Sequence, residues 1–484
     1  MTVTINPYAR LRLPGWAPQT KSTIKRISRL GVRTHCADLD PRGTEATPER
    51  LEPAYDLHMG IDIGTSSAKV VIRHEKRLYA VPFFEALDGI DAYLLPTKLR
   101  KEKGEYCLNE AGRVFQKKEW ENIKLNLMEN LSANAAQTRM IALMALIIRY
   151  ARAWLFTEHG DAFRAGPIFW TYTVGVPSDP TADDLTELWR ELLTKAVIAA
   201  GRDADITDRL IKDIDPDDFD PDWADVRAYS ELVAEATALS RNHPIEGSND
   251  FIVVDVGSGT LDIVMMTIAK KPDGYGFTYT LSCPSVSPLG TFKCHEARLD
   301  VLEKLLKAVH HEKCEVFCEH IRHQRNRTLL SALPGSFEDY YEDIRFEKVP
   351  NVDFKFGREV FFSLNRHRRQ CAHQPDLTRD HITKAHILLC GGGARCRLYE
   401  RAVRGYGYEA FWTNTIWLRN PDVRKMLPIE RLLLKQKIRE EDHDRLIVAV
   451  GLTGDALEEV TIAPMPTSEY EDPYDRAYVS KEMV

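Results

Sequence analysis

Phe251-Ile252-Val253-Val254-Asp255-Val256-Gly257-Ser258-Gly259-Thr260-Leu261-Asp262-Ile263-Val264-Met265-Met266-Thr267-Ile268 is the stretch whose reading decides the architecture. Two runs rich in apolar and β-branched residues flank Gly257-Ser258-Gly259, the pattern of a buried strand, a tight turn and a second strand. Glycine permits positive φ and a close approach of backbone to ligand, so the N–H groups of such a turn form a concave anion site, to which Ser258 and Thr260 add hydroxyls. Asp255 at the strand end and Asp262 beyond the turn offer hard oxygen ligands, direct or through water, for the Mg²⁺ that accompanies a polyphosphate.

The same design occurs earlier in Gly60-Ile61-Asp62-Ile63-Gly64-Thr65-Ser66-Ser67-Ala68-Lys69. One Asp-x-Gly-Thr hairpin is a common structural turn. Two in one chain, each with Asp-x-Gly followed by Ser or Thr, predict facing hairpins that grip one phosphate chain. A third glycine site, Leu389-Cys390-Gly391-Gly392-Gly393-Ala394-Arg395, carries a buried strand into a helix through Val403, whose first N–H groups point outward unpaired.

Around these motifs the chain is ordinary in composition. Its 484 residues allow about two or three domains. Hydrophobic content of 44%, charged content of 28% and a net charge of -7 give no global attraction to nucleic acid or anionic membrane. The longest apolar run, Met140 to Ile148, is far short of the roughly 20 residues that span a bilayer, and predicts a buried helix. No apolar N-terminal segment of signal type is present, and nine scattered cysteines without a Cys-x-x-Cys pair favour reduced thiols and the cytoplasm.

Periodicity predicts helices over Arg139–Phe156, Asp183–Gly201 (with Thr181 as its cap), Ala228–Ser240, His295–Leu330 and Arg431–Glu441, and a small-residue helix over Asp444–Leu452. Pro167–Pro177 and Tyr275–Leu281 predict strands, and Asp203–Asp225 a surface excursion. Residues 1–56 have the Pro content and basic character of a tail, with Ile24, Ile27 and Leu30 on one face of a short basic helix; 457–484 have the acidic character of another. His310, Cys314 and Cys318 recur every four residues as on an ordinary helix face, with a metal site the lesser reading. Cys390 and Cys396 suit small packing residues.

Three glycine motifs in this order resemble those of the actin, hexokinase and Hsp70 superfamily of ATPases, and most of all the Hsp70 nucleotide-binding domain, over about Leu57 to Gly454. Gly60–Ser66 is similar to the first phosphate motif, Asp255–Asp262 to the second and Leu389–Arg395 to the adenosine motif. Thr173–Pro177, Glu235-Ala236-Thr237-Ala238 and Ile447–Gly451 resemble the first connecting region, the Glu-Pro-Thr-Ala segment and the closing helix. The resemblance implies a two-lobed α/β fold, each lobe on a ribonuclease H-like sheet with flanking helices: lobe I over 57–245, lobe II over 246–440, and a helix returning to lobe I over 441–456. It also implies ATP or ADP with Mg²⁺ in the cleft. Asp62, Asp255 and Glu235 would hold Mg²⁺ through waters and position the attacking water, with Asp262 nearby and Lys124 as the family's lysine. Gly64, Thr65, Ser66, Gly257, Ser258, Gly259 and Thr260 would cradle the phosphates. Gly391, Gly392, Gly393 and Arg395 would lie along the adenosine, with the basic helix of Arg322 to Arg327 near the adenine.

Departures from the family are Ala236 for its Pro, Ala394 for a hydroxyl residue, and no peptide-binding domain after the closing helix. The expected activity is therefore an ATP-driven switch acting on a separate protein partner. The rivals are an actin-like filament or homo-oligomer and a sugar-type small-molecule kinase.

Overall fold

In the computed structural model each Asp-Gly hairpin seeds its own sheet. The structure describes residues 3–5, 11 and 55–463, with 85–86, 109–118, 164–166, 178–182, 243–248, 272–276, 309–311, 325–332, 343, 407–422, 425–428, 436 and 455–459 outside the description. The predicted basic helix near Ile24, the Thr181 cap, Arg325, Arg327, His310 and most of both tails lie outside it.

In chain order the main strands are β1 (Tyr55–Ile63), β2 (Ser67–His74), β3 (Arg77–Ala80), β4 (Ile168–Val176), β5 (Ala224–Ser230), β6 (Asn249–Val256), β7 (Leu261–Lys270), β8 (Phe277–Ser287), β9 (His386–Cys390) and β10 (Val423–Arg424). The main helices are α1 (Ile123–Glu129), α2 (Asn134–His159), α3 (Asp183–Gly201), α4 (Glu231–Asn242), α5 (Thr291–Lys307), α6 (Glu312–Gln324), α7 (Val352–Cys371), α8 (Arg397–Arg404) and α9 (Ile447–Gly451).

The first sheet runs β5-β4-β1-β2-β3 and the second β10-β9-β6-β7-β8. In each, the hairpin strand that precedes the glycine turn is antiparallel to its successor and parallel to the strand on its other side, so order and direction are the same in both. Mixed α/β architecture follows: antiparallel neighbours need only turns, whereas each parallel pair needs a helical crossover. Both faces of β6 are covered, with Phe251 and Val253 in one core and Ile252, Val254 and Val256 in the other, so it reads as one apolar run, whereas β1 alternates and buries Leu57, Met59, Ile61 and Ile63 on a single face. Helix α2 is long and apolar enough to cross a membrane by composition, but 78% of its apolar window is buried inside the protein. It is a core helix.

The late chain returns to the first sheet. Gly60 on β1 faces α9 so closely that an added Cβ would lie 2.2 Å from the Ala449 carbonyl oxygen, and one on Gly451 would lie 1.8 Å from that of Ala234 on α4. Only glycine fits at these two contacts.

Several boundaries differ from expectation. The described residues of 431–441 hold no α-helix; Leu432–Leu433 pair in parallel with Leu78 and Tyr79, and a 3-10 turn covers Glu440–Leu446. Leu432, Leu434 and Ile438 pack against the first core, so tertiary burial overrides the helical propensity of the intervening charges. Pairing with the first sheet accordingly begins at Leu432, ahead of 441. Ala228–Ser230 belong to β5, because pairing with Val174–Val176 on β4 captures them, and the helix begins at Glu231. Of the two expected tails, Val3–Ile5 pair with Ile344–Phe346 and Leu11 is buried in the helical α5–α6 core, while Val460–Ile462 extend the second sheet beside β8.

Gly451→Ala is expected to cost about 1–3 kcal/mol or more in denaturant unfolding through overpacking. Gly160→Ala, at a site with open space and φ -55, is expected to be neutral or to stabilise by under about 1 kcal/mol. Equal effects of the two would show that α9 does not pack as described.

Candidate functional site

The two glycine turns meet. Gly64 donates to the Ser67 carbonyl at 3.1 Å and Gly257 to that of Thr260 at 2.9 Å, closing each turn. Across the gap, the Ser66 hydroxyl donates to Ser258 Oγ at 2.6 Å, although 192 residues separate them. Both turns are braced from behind. Thr97, fully buried, donates its hydroxyl to the Gly64 carbonyl at 2.7 Å and its N–H to that of Ser66 at 3.1 Å. The start of α5 does the same for the second turn, with Thr291 N–H on the Gly257 carbonyl at 3.1 Å and Phe292 N–H on that of Ser258 at 2.7 Å. With these carbonyls engaged at the rear, the hydroxyls of Thr65, Ser66, Ser258 and Thr260 are left on the side that lines the cavity.

That cavity, about 110 Å³, brings together Asp62, Lys124, Glu235, Asp255, Asp262, Gly64, Gly257, Gly259, Gly391 and Gly392, as expected from sequence, along with those hydroxyl residues. Asp62 and Asp255 share it because each ends the strand before its turn. Their register partners are Lys69 and Asp262. Lys124 sits at the second position of α1, after Asn122 at φ 53, and its Nζ lies 2.6 Å from Glu231 Oε1. Glu231 and Glu235 are one turn apart on α4 and therefore share a face.

Sequence reading missed Lys69, Glu231, Thr291, Asp444 and Arg445 among the lining residues. Lys69 was accessible from pairing alone: it stands opposite Asp62 across the hairpin, with Nζ 2.8 Å from Asp62 Oδ2. Asp444 and Arg445 carried no local signal, since only the return of the late chain brings them in.

Two expected adenosine contacts do not line the cavity. Gly393 packs so tightly that a Cβ would stand 2.3 Å from Val256 Cγ1 and 2.6 Å from Thr291 Cγ2. Arg395 is committed to Asp442 at 2.8 Å, Asp444 at 2.6 Å and the Glu441 carbonyl at 2.9 Å, because oppositely charged partners from the returning segment reach it first. It clamps the triple-glycine turn to that segment, and the guanidinium beside Gly392 is that of Arg445. Arg322 lies on α6 with Glu303 at 3.7 Å, outside the cavity lining. Cys314 and Cys318 are buried in the α5–α6 core as an ordinary helix face.

Electrostatically the cavity is short of positive charge: Asp62, Glu231, Glu235, Asp255, Asp262 and Asp444 face Lys69, Lys124 and Arg445. Burial, reinforced by Glu231, pushes Asp255 up to about 7. Burial and Asp255 push both Glu235 and Asp262 well above the usual carboxylate range. Buried Asp255 Oδ1, Asp262 Oδ1 and Glu235 Oε2 have no hydrogen-bond partner among the described residues. Orphaned oxygens from hard carboxylate donors fit a divalent cation of Mg²⁺ type. Gly391 completes the cradle, since a Cβ there would lie 1.9 Å from Asp255 Oδ1.

A scan against protein-family models matches none, and a search of curated proteins finds no match.

A carboxyl pKa raised on folding means that the folded chain holds protons the unfolded chain has released, so stability falls as pH climbs from the ordinary 3.8 toward about 7. His367, which burial lowers to about 3, contributes the opposite slope. The melting temperature of wild type relative to Asp255→Asn is therefore the quantity to read; it is expected to fall between about pH 5 and pH 8, and Mg²⁺ at 100 times its dissociation constant should restore about 2.7 kcal/mol at the upper pH. A wild-type to Asn difference that is flat with pH and insensitive to Mg²⁺ would remove the cation-site assignment.

Proposed function

We propose that this chain binds ATP with Mg²⁺ between its two sheet-centred halves, hydrolyses it slowly, and uses the nucleotide as a switch on a separate protein partner. The fold we infer is the two-lobed actin-like ATPase fold, each lobe on a ribonuclease H-like sheet; the support is the repetition of one strand order and direction in both sheets. The observation that carries the function is the Ser66–Ser258 hydrogen bond, which joins two Asp-bearing glycine turns over a single carboxylate-lined cavity.

Phosphoryl transfer to water asks a protein for positioning and charge neutralisation more than for covalent chemistry. The Thr65, Ser66, Ser258 and Thr260 hydroxyls and the turn N–H groups would donate to phosphate oxygens. Lys69 and Lys124 would turn from Asp62 and Glu231 toward the phosphates. Asp62 and Asp255 would hold Mg²⁺, which when bound neutralises charge on the transferring group. Glu235, whose carboxyl burial and Asp255 raise, would take the proton of the attacking water once a bound cation had offset the neighbouring carboxylates and left it ionised.

At about 110 Å³ the cavity is smaller than the roughly 300–1,000 Å³ of small-molecule sites. Admission of a nucleotide therefore requires the turns to part. A γ-phosphate held by both turns replaces the Ser66–Ser258 bond as the link between halves, and its loss on hydrolysis releases them.

Asp255→Asn is expected to lower ATP turnover at least about a hundredfold in a phosphate-release assay, the scale of losing one group that organises a transition state. Unchanged turnover would remove the assignment. Polymer that sediments with ATP would favour the filament reading, and ADP formed only with an added acceptor would favour the kinase.

A further inference from the structure

Cys390 ends β9 directly beside Asp255, its register partner on β6. Its thiol, just before the triple-glycine turn, has two acceptors within reach of its one hydrogen, Glu235 Oε1 at 3.8 Å and the Val254 carbonyl at 3.6 Å. One ligand atom each from Glu235, Asp255 and Cys390 lie within 4.8 Å of one another. Glu235 is only 1% exposed, yet its Oε2 has no partner, and neither has Asp255 Oδ1. In a tetrahedral zinc site, with sulfur about 2.3 Å and oxygen about 2.0 Å from the metal, the two ligand atoms stand about 3.5 Å apart. The observed 3.8 Å needs an adjustment of only about 0.3 Å.

We propose that Glu235, Asp255 and Cys390 form a site for a thiophilic divalent cation of the Zn²⁺ class, and that its occupation blocks the nucleotide. Mg²⁺ selects oxygen donors, whereas a thiolate selects zinc and its neighbours, so the carboxylates that line the cavity and the thiol behind them offer two metal preferences on overlapping ligands. On binding, the Cys390 S–H bond breaks, its proton passes to the buffer and a metal–sulfur bond forms, without electron transfer. Asp255 serves both ions, so Zn²⁺ and Mg²⁺ with ATP exclude one another. The blocking rests on the nucleotide reading; the cation site does not.

The test is a titration of the full chain with Co²⁺ in the absence of nucleotide. A near-ultraviolet sulfur-to-cobalt charge-transfer band is expected at one equivalent, displaced by Zn²⁺. Cys390→Val should abolish the band and weaken Co²⁺ binding at least about tenfold, and Glu235→Gln, which keeps the thiol, should weaken binding by a similar factor. A band that survives Cys390→Val, or Co²⁺ binding at this stoichiometry with no band, overturns the site. If the protein binds ATP but shows no Cys390-dependent band, the cation site falls and the nucleotide reading stands; a Cys390-dependent band in a protein that does not bind ATP has the reverse meaning.

Discussion

Six carboxylates facing three cations across one cavity is the constraint on which the rest of the structure depends. Two unit charges of like sign about 4 Å apart repel by about 4 kcal/mol at an effective dielectric of 20. Protons or added cations must therefore offset the excess. The scaffold holds the groups in place regardless: each Asp is fixed at a strand end by its ladder, each turn is braced at its carbonyls by a buried partner, and Glu235 is carried on a helix packed tightly under α9. The strain of assembling these acids is borne by the sheets and the helices around them.

The repeated sheet explains how such a cavity is built without a dedicated domain for it. Two units with the same strand order each present an Asp-Gly turn at the same strand end, so bringing those ends together juxtaposes the acids automatically. What distinguishes the halves is what braces the turn: a single threonine in the first, the start of a helix in the second. Arg395 then ties the third glycine turn, which belongs to the second sheet, to the segment that returns to the first. The site thus has a hydrogen bond at its front and an ion-pair clamp at its back.

Much of this was legible in the sequence, for physical reasons that differ by residue. Glycine turns with their flanking aspartates are local patterns, so Asp62 and Asp255 could be found, and two copies implied that they face each other. Glu231 lies one helical turn before Glu235 and Lys69 one rung across from Asp62, so pairing and periodicity could have found both. Asp444 and Arg445 could not be found that way, because their place depends on two glycine contacts with α4 and β1 far away in the chain. Arg395 was assigned to a ligand for the same reason in reverse: its acidic partners lie almost fifty residues on and become neighbours only in the folded protein. Charged runs such as 431–441 misled where burial of interleaved leucines overrode propensity.

The position of Asp444 to Val448 in the cavity wall has a consequence for biosynthesis. At the usual elongation rate of about 5–20 residues per second, the first aspartate hairpin leaves the ribosome roughly 20–80 s before Arg445 does. During that interval the nascent chain carries its acidic hairpins without the segment that walls them in. The cavity is thereby complete only when the late residues dock under the strand that emerged first.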